Sequence, residues 1–360
     1  MSGYFTRSMF QSLTSEERAL AIRRLTALWA LNECGIGGIL HALNSPLSGL
    51  VVGSFAMICI ALICALAENR WRAVMSSLLI VLVIKALVSP HTSPTAYLAV
   101  SFQGVSGALI YGSIRYLLPS SILFFVIGHI ESAMQRIIVL TLLYGTALWE
   151  AIDIWGNWIA GKWGVIIPLK SSSLLIATYL SIHFLAGMLT GWLTYRILKA
   201  VNRNWGDATF RLSLKAGDRK ELIPKRKKGK RWKRYIIAGI LLILIALAYI
   251  SPIAGAGGMQ KALIAVLRAV VILALWFGFI APWLISILQR FLKNKRQRLA
   301  HEVEETMAMF PRLLWIIDKA WTNAKHLRGL SRWKVFFVHT ILYILQYRTV
   351  DDSAPDGTDM

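Results

Sequence analysis

Cysteine is scarce and acidic residues are few. Only three cysteines, Cys34, Cys59 and Cys64, occur in 360 residues, and all fall in apolar stretches. There Cys behaves as a small hydrophobe, so no disulfide framework follows, and the spacing matches no metal site. The 18 Asp and Glu are set against 40 Lys and Arg, for a net charge of +22. A secretory signal is also missing from the first 24 residues, which carry Arg7, Glu16, Glu17, Arg18, Arg23 and Arg24 with no apolar core before Leu25. Membrane insertion is therefore expected to rely on uncleaved helices. Catalytic signatures are lacking as well. Gly255 to Lys261 reads GAGGMQK, without the spacing of a phosphate-cradling loop, and HEVEE at 301–305 lacks the second His of a zinc-protease helix. There is no Ser-centred nucleophile elbow. These absences argue against an enzyme, and no cofactor is implied.

What is present is hydrophobicity in long runs. Hydrophobic residues make up 56% of the chain and the mean hydropathy is +0.56. An α-helix needs about 20 mainly apolar residues to cross the hydrocarbon layer. The runs 49–67, 73–88, 95–114, 172–199, 235–252 and 261–289 meet or approach that length. Backbone groups in lipid must be satisfied internally, so these runs are expected to be helices. No dyad alternation marks a transmembrane barrel. The expected fold is all-α: a polytopic integral membrane protein with a six-helix bundle, two further transmembrane helices and cytoplasmic amphipathic helices.

Lys and Arg between the spans set the orientation. Residues 1–24 read as a cytoplasmic amphipathic N-terminus, capped near Ser15 and Glu17, that enters a first span at about 25–43. The loop Asn44–Ser48 has no basic residue, Arg70 and Arg72 follow span two, Pro90–Pro94 holds only His91, and Arg115 follows span four. Span five, about 119–150, is interrupted by Glu131 and Arg136, and reads as one bent helix or a short hairpin. A Trp- and Gly-rich loop, 151–170, precedes span six. Basic and non-basic connections alternate, which places both termini in the cytoplasm.

A six-span bundle over 25–200 is followed by a basic linker, 201–234, containing Lys225-Arg226-Lys227-Lys228-Gly229-Lys230-Arg231-Trp232-Lys233-Arg234. Such a cluster anchors topology and attracts anionic lipid headgroups at about 1 kcal/mol per residue. Nucleic-acid binding would want interleaved aromatics on a folded platform, and only Trp232 qualifies, so no nucleic-acid partner is expected. A two-span extension, 235–289, leads to a basic section, 290–346. There Met307, Phe310, Leu313, Leu314, Ile317, Ala320 and Trp321 recur at helical spacing as one apolar face, with Pro311 suited to a first turn. The acidic, polar tail, 347–360, reads as disordered.

Polar residues inside the spans carry the functional signal, because a charge in hydrocarbon costs roughly 2.5–3.5 kcal/mol on insertion scales. The set is Asn32, Glu33, His41, Lys85, Gln103, His129, Glu131 and His183. Glu33 is suited to pair with Lys85, and His129 and His183 to act as hydrogen-bonded packing residues. Together they argue for an internal site rather than a simple anchor.

Two stretches then carry a resemblance. From Trp29 the chain reads WALNECGIGGILHALNSPLSGLVVG, and from Lys85, KALVSPHTSPTAYLAVSFQGVSGALI. Both resemble the substrate-binding (S) components of bacterial energy-coupling-factor (ECF) transporters. That family's embedded Glu, Leu-His-x-Leu turn and Pro-Phe-Ser-Gly-like element are matched by Glu33, Leu40-His41-Ala42-Leu43 and Pro46-Leu47-Ser48-Gly49. Its Lys-x-x-x-Ser-Pro element and following polar helix are matched by Lys85, Ser89, Pro90 and Gln103. The family's Ala-x-x-x-Ala stripe is reduced here to Thr26 and Ala30, and the chain is about twice the usual length. Ala324-Lys325-His326-Leu327-Arg328-Gly329 further resembles, once, the Ala-Arg-Gly motifs by which coupling (T) components dock ATPases.

The resemblance implies a membrane subunit of an ECF-type importer in the bacterial cytoplasmic membrane. It would bind a small solute, such as a vitamin or related micronutrient, and rely on separate ATP-binding-cassette ATPases and a coupling subunit. Asn44, Tyr97, Gln103, Trp149, Glu150 and His183 are then the candidate solute ligands, and Arg328 and Gly329 the coupling residues. The alternative is a non-transporting scaffold that presents the basic C-terminal helices to a protein partner.

Overall fold

The computed structural model describes residues 13–36, 48–88, 94–164, 169–214 and 299–349, with Phe10, Trp283 and Ser286. The expected spans 235–252 and 261–289 and the linker 201–234 beyond Leu214 lie outside the described residues, Trp283 and Ser286 apart. Among the described residues the fold is helical except for one pair of two-residue strands. Among the described residues, three helices are long and apolar enough to cross a membrane: Arg70–Val88, Leu117–Tyr144 and Ser171–Arg203.

Helix α1, Ser15–Leu31, begins at a capping box one residue earlier than expected. Thr14 Oγ1 accepts from the Glu17 N–H at 3.2 Å, and Glu17 Oε2 accepts from the Thr14 N–H at 2.9 Å. Two orphan helix donors are satisfied in this way. The helix is continuous across the expected boundary at residue 24, and is buried from Arg24 onward. It ends in a π-helical turn, Asn32–Ile36, a local widening that often accompanies functional sites. The rest of the expected first span lies outside the described residues.

Helices α2, Ser48–Leu66, α3, Arg70–Val88, and α4, Pro94–Ser113, follow within a few residues of the expected spans. α1 packs on α2 and α3, α4 packs on the same two, and α2 meets α3, so the four enclose a common axis. Their core includes Leu25, Leu28, Trp29, Ile60, Leu62, Ile63, Val81 and Ile84. The α2–α3 turn is tied by Arg70, which donates to the carbonyls of Cys64 at 3.1 Å and Tyr111 at 2.7 Å.

The expected fifth span is divided between two helices. α5 runs from Leu117 to Tyr144, Gly145 breaks the chain at φ +69°, and α6 occupies Thr146–Lys162. A positive φ at that point suits glycine alone. Most of the expected Trp-rich loop is therefore helix. α7, Ser171–Arg203, is the sixth expected span, extended by one turn.

The chain forms two compact units. Among the described residues the first comprises 10–132, 183–214 and 299–349, and the second centres on 133–182. Within the first, Gly187 and Gly191 of α7 face α5. A Cβ on either would lie 2.7 Å from a Cα of α5, at Val126 and Ile122 respectively. Such small-xxx-small spacing lets two backbones approach closely.

The C-terminal helices belong to the first unit. α8, Phe310–Asn323, carries Pro311 in its first turn, as expected, and buries Phe310, Leu313, Ile316 and Ala320. Ile316 therefore takes the inward place assigned from spacing to Ile317, which is only half-buried. α9, Gly329–Gln346, packs along α1, and its Phe337 ring lies 6.3 Å from Phe55 of α2. Arg24 secures the end of α9: it donates to the carbonyls of Leu345 and Tyr347, each at 2.7 Å, and stacks 3.8 Å from the Tyr347 ring. Strand β2, Arg348–Thr349, pairs in parallel with β1, Ser213–Leu214. The tail expected to be disordered from residue 347 is therefore ordered through Thr349, because main-chain bonds and Arg24 hold it. Residues 350–360 lie outside the described set.

Candidate functional site

The π-helical turn, the first half of α2, the end of α3 and the first half of α4 carry a layer of four buried polar side chains, Asn32, Glu33, Lys85 and Gln103. Glu33 Oε2 and Lys85 Nζ form an ion pair at 2.5 Å, with only 5% and 4% of their side chains exposed. This is the pairing expected from two opposite charges embedded in apolar runs. Beside it, Asn32 Nδ2 donates to the Val52 carbonyl at 3.0 Å. That bond fixes the amide orientation, since a carbonyl can only accept. Asn32 Oδ1 is left buried with no partner among the described residues, and so is Gln103 Oε1. Gln103 is 5% exposed, and its Nε2 would lie 3.1 Å from a Cβ at Gly53. A side chain at position 53 would thus crowd the amide. Tyr97 is half-buried on α4, its ring centroid 6.0 Å from Lys85 Nζ, at the outer reach of a cation–π contact. Trp29 Nε1, one turn before Asn32, is also buried and unpartnered among the described residues.

The two histidines are engaged in helix packing. Ser54 Oγ donates to the Leu50 carbonyl at 2.6 Å and lies 3.2 Å from His129 Nε2. The serine proton is therefore committed, and His129 must donate from Nε2. His183 Nδ1 lies 3.0 Å from the His129 carbonyl and must carry a proton to make that bond. Each ring thus joins two helices, α2 to α5 and α5 to α7. Glu131, one turn-step beyond His129, is half-buried, and its Oε2 has no partner among the described residues.

The remaining candidates lie elsewhere. His41 and Asn44 are outside the described residues. Trp149 and Glu150 belong to the second unit, on α6, where Trp149 Nε1 donates to Thr141 Oγ1 at 3.1 Å and Glu150 is exposed. In that unit Asp153 accepts the Ser172 N–H at 2.7 Å and so caps the start of α7. That bond, with a smaller contribution from nearby Lys170, holds its carboxyl below the ordinary Asp range. Arg328 and Gly329 are exposed in the turn between α8 and α9. Gly329 does not end a helix: at φ +60° it opens α9, with Arg328 as its N-cap. Among the described residues, no group of three His, Cys, Asp or Glu side chains converges as metal ligands.

Sequence reasoning placed Asn32 among the buried polar groups but not among the solute ligands. It passed over Gly53 and Ser54. Their signal was a small residue and a serine inside an otherwise apolar run, a pattern common to many membrane helices.

Comparison with protein-family models, with characterised proteins and with solved structures returns no match to this chain.

Proposed function

We propose that this chain is a polytopic membrane protein that binds a small solute at the polar layer of Asn32, Glu33, Lys85 and Gln103 and passes it inward, with ATP hydrolysis supplied by separate subunits. One observation carries the reading: two acceptor oxygens, Asn32 Oδ1 and Gln103 Oε1, are buried without partners among the described residues, in the same layer as a buried ion pair. An unpartnered buried acceptor costs about 1–3 kcal/mol. A buried ion pair is a poor stability device, because apolar residues of similar volume serve as well or better. Groups kept at such cost inside apolar helices mark a pathway or a binding site. The three helices of membrane-spanning length support the multi-pass arrangement, and the alternation of basic connections supports cytoplasmic termini. The likeness of the Glu33 and Lys85 stretches to ECF substrate-binding components supports the importer class.

The test is to purify the full chain in lipid nanodiscs, extract bound small molecules and identify them by mass spectrometry. A solute that is enriched in wild type and lost in Gln103→Leu is the expected result. An empty extract, with no thermal shift across a broad solute library, would contradict it.

The scaffold reading draws on the exposed Arg328 turn beside a cluster of Trp321, Trp333 and Phe336, whose ring centroids lie 5.2–6.1 Å apart. A pull-down separates the two. Recovery of ATP-binding-cassette ATPases that depends on Arg328 supports transport, and another stable partner with no bound solute supports the scaffold.

A further inference from the structure

The bonding inventory of the polar layer is unequal, and the inequality describes what would complete it. The layer holds three acceptor groups: Asn32 Oδ1, Gln103 Oε1 and the Glu33 carboxylate. The two amide oxygens are unpartnered among the described residues. Among those residues the Lys85 ammonium, which can donate three hydrogen bonds, makes one, to Glu33. The layer's own charge is balanced, because Glu33 and Lys85 cancel. A solute with net charge would leave one charge uncompensated in a site where both residues are about 95% buried, which is strongly unfavourable. A net-neutral solute keeps the balance.

We infer that the solute is a zwitterion with a primary ammonium group. Its three N–H donors match the three acceptors at Asn32, Gln103 and Glu33, and its carboxylate takes the open donors of Lys85. The solute inserts between Glu33 and Lys85 and replaces one direct ion pair with two charge-assisted contacts. The two amides, which accept nothing in the described structure, then gain donors. The inference rests on the solute-binding reading above and narrows it.

The test uses the full chain in nanodiscs at neutral pH, titrated with the standard amino acids, β-alanine and γ-aminobutyrate, with thermal shift and calorimetry as readouts. At least one zwitterion is expected to bind saturably. Its trimethylammonium analogue, which has no N–H, and its carboxamide, which has no anionic end, should each bind at least about tenfold more weakly, the loss of one charged hydrogen bond. Gln103→Leu should weaken the zwitterion by a similar factor. Gln103→Glu should shift preference toward the decarboxylated amine, because it adds a negative charge to the ammonium end. A merely structural role for Gln103 would not produce that reversal of preference. A Gln103-dependent solute that is uncharged or net charged, with no zwitterion competing, would overturn this inference and leave solute binding standing. A protein that binds no small molecule of any class would remove both.

Discussion

The middle of α1 and the π-helical turn that follows it bury polar groups in opposite ways. At Arg24 both terminal nitrogens reach main-chain carbonyls at the end of α9 and the guanidinium plane covers Tyr347, which leaves Nε as the one group of the side chain with no partner among the described residues. At Asn32 and Glu33, about two turns further on, acceptors outnumber the donors that meet them among the described residues. The first arrangement closes a structure by tying the C-terminal helices to the N-terminal one. The second is incomplete and so has capacity for something else. Burial alone does not distinguish the two. What separates architecture from a candidate site is the tally of partners.

The comparison is tested most strongly by the ion pair itself. Lys85→Met or Glu33→Gln alone leaves one buried partner without the other and should cost about 3–5 kcal/mol of stability. The double variant should recover most of that loss in thermal unfolding and abolish solute binding. If the single and double variants were equally unstable, the pair would not be acting as a charge-balanced unit.

Arg24→Met should cost somewhat less, about 2–3 kcal/mol, because it leaves main-chain carbonyls unpaired rather than a charge. Limited proteolysis should then cut between α9 and the strand pair, with the α1–α4 bundle still intact. Arg24→Lys should rescue little, since an ammonium cannot reproduce the two-pronged contact.

The α5–α7 seam tests a third kind of burial, one of shape. Gly191→Leu forces a side chain against the Ile122 backbone and should destabilise by about 1–3 kcal/mol. It should also disturb the His183–His129 bond two turns away on the same seam, which NMR of the imidazoles would register.

The smallest effect lies in the second unit. Asp153 is held below the ordinary Asp range by the Ser172 N–H. Its contribution is therefore complete above the unfolded value of about 3.9 and is lost only as pH falls through the lower folded value. Asp153→Asn should lower stability slightly at neutral pH, where the wild-type contribution is complete, and should flatten the acid dependence below about pH 4, so that the two proteins converge at low pH.

Much of the helix pattern was legible, and the reasons are specific. The runs beginning near Leu50, Ala73, Thr95 and Ser172 are apolar on all sides, so hydropathy found them within a few residues. Glu33 and Lys85 stood out because charges are rare in such runs, and opposite signs suggested the pair. Gly145 did not stand out: nothing in Tyr144-Gly145-Thr146 distinguishes a chain break from an ordinary helical glycine until φ is known. Arg24 reads like any Arg before a span, because each satisfies the positive-inside pattern, and nothing local marks its place at the end of α9. Its carbonyl partners lie more than three hundred residues away in sequence, out of reach of a local signal. For the same reason β2 was taken for part of a disordered tail. The unpartnered oxygens of Asn32 and Gln103 are a property of three-dimensional bonding, and the residue types by themselves do not disclose it.

The central claim is that the incomplete layer is a binding site, and native mass spectrometry tests it most directly. Full-length protein released from nanodiscs should carry a discrete small-molecule mass in wild type. The same preparation of Gln103→Leu should lack it, although that variant is expected to unfold within about 1 kcal/mol of wild type, since it removes a buried unpartnered acceptor. Identical masses for the two proteins, both equal to the bare chain, would contradict the account.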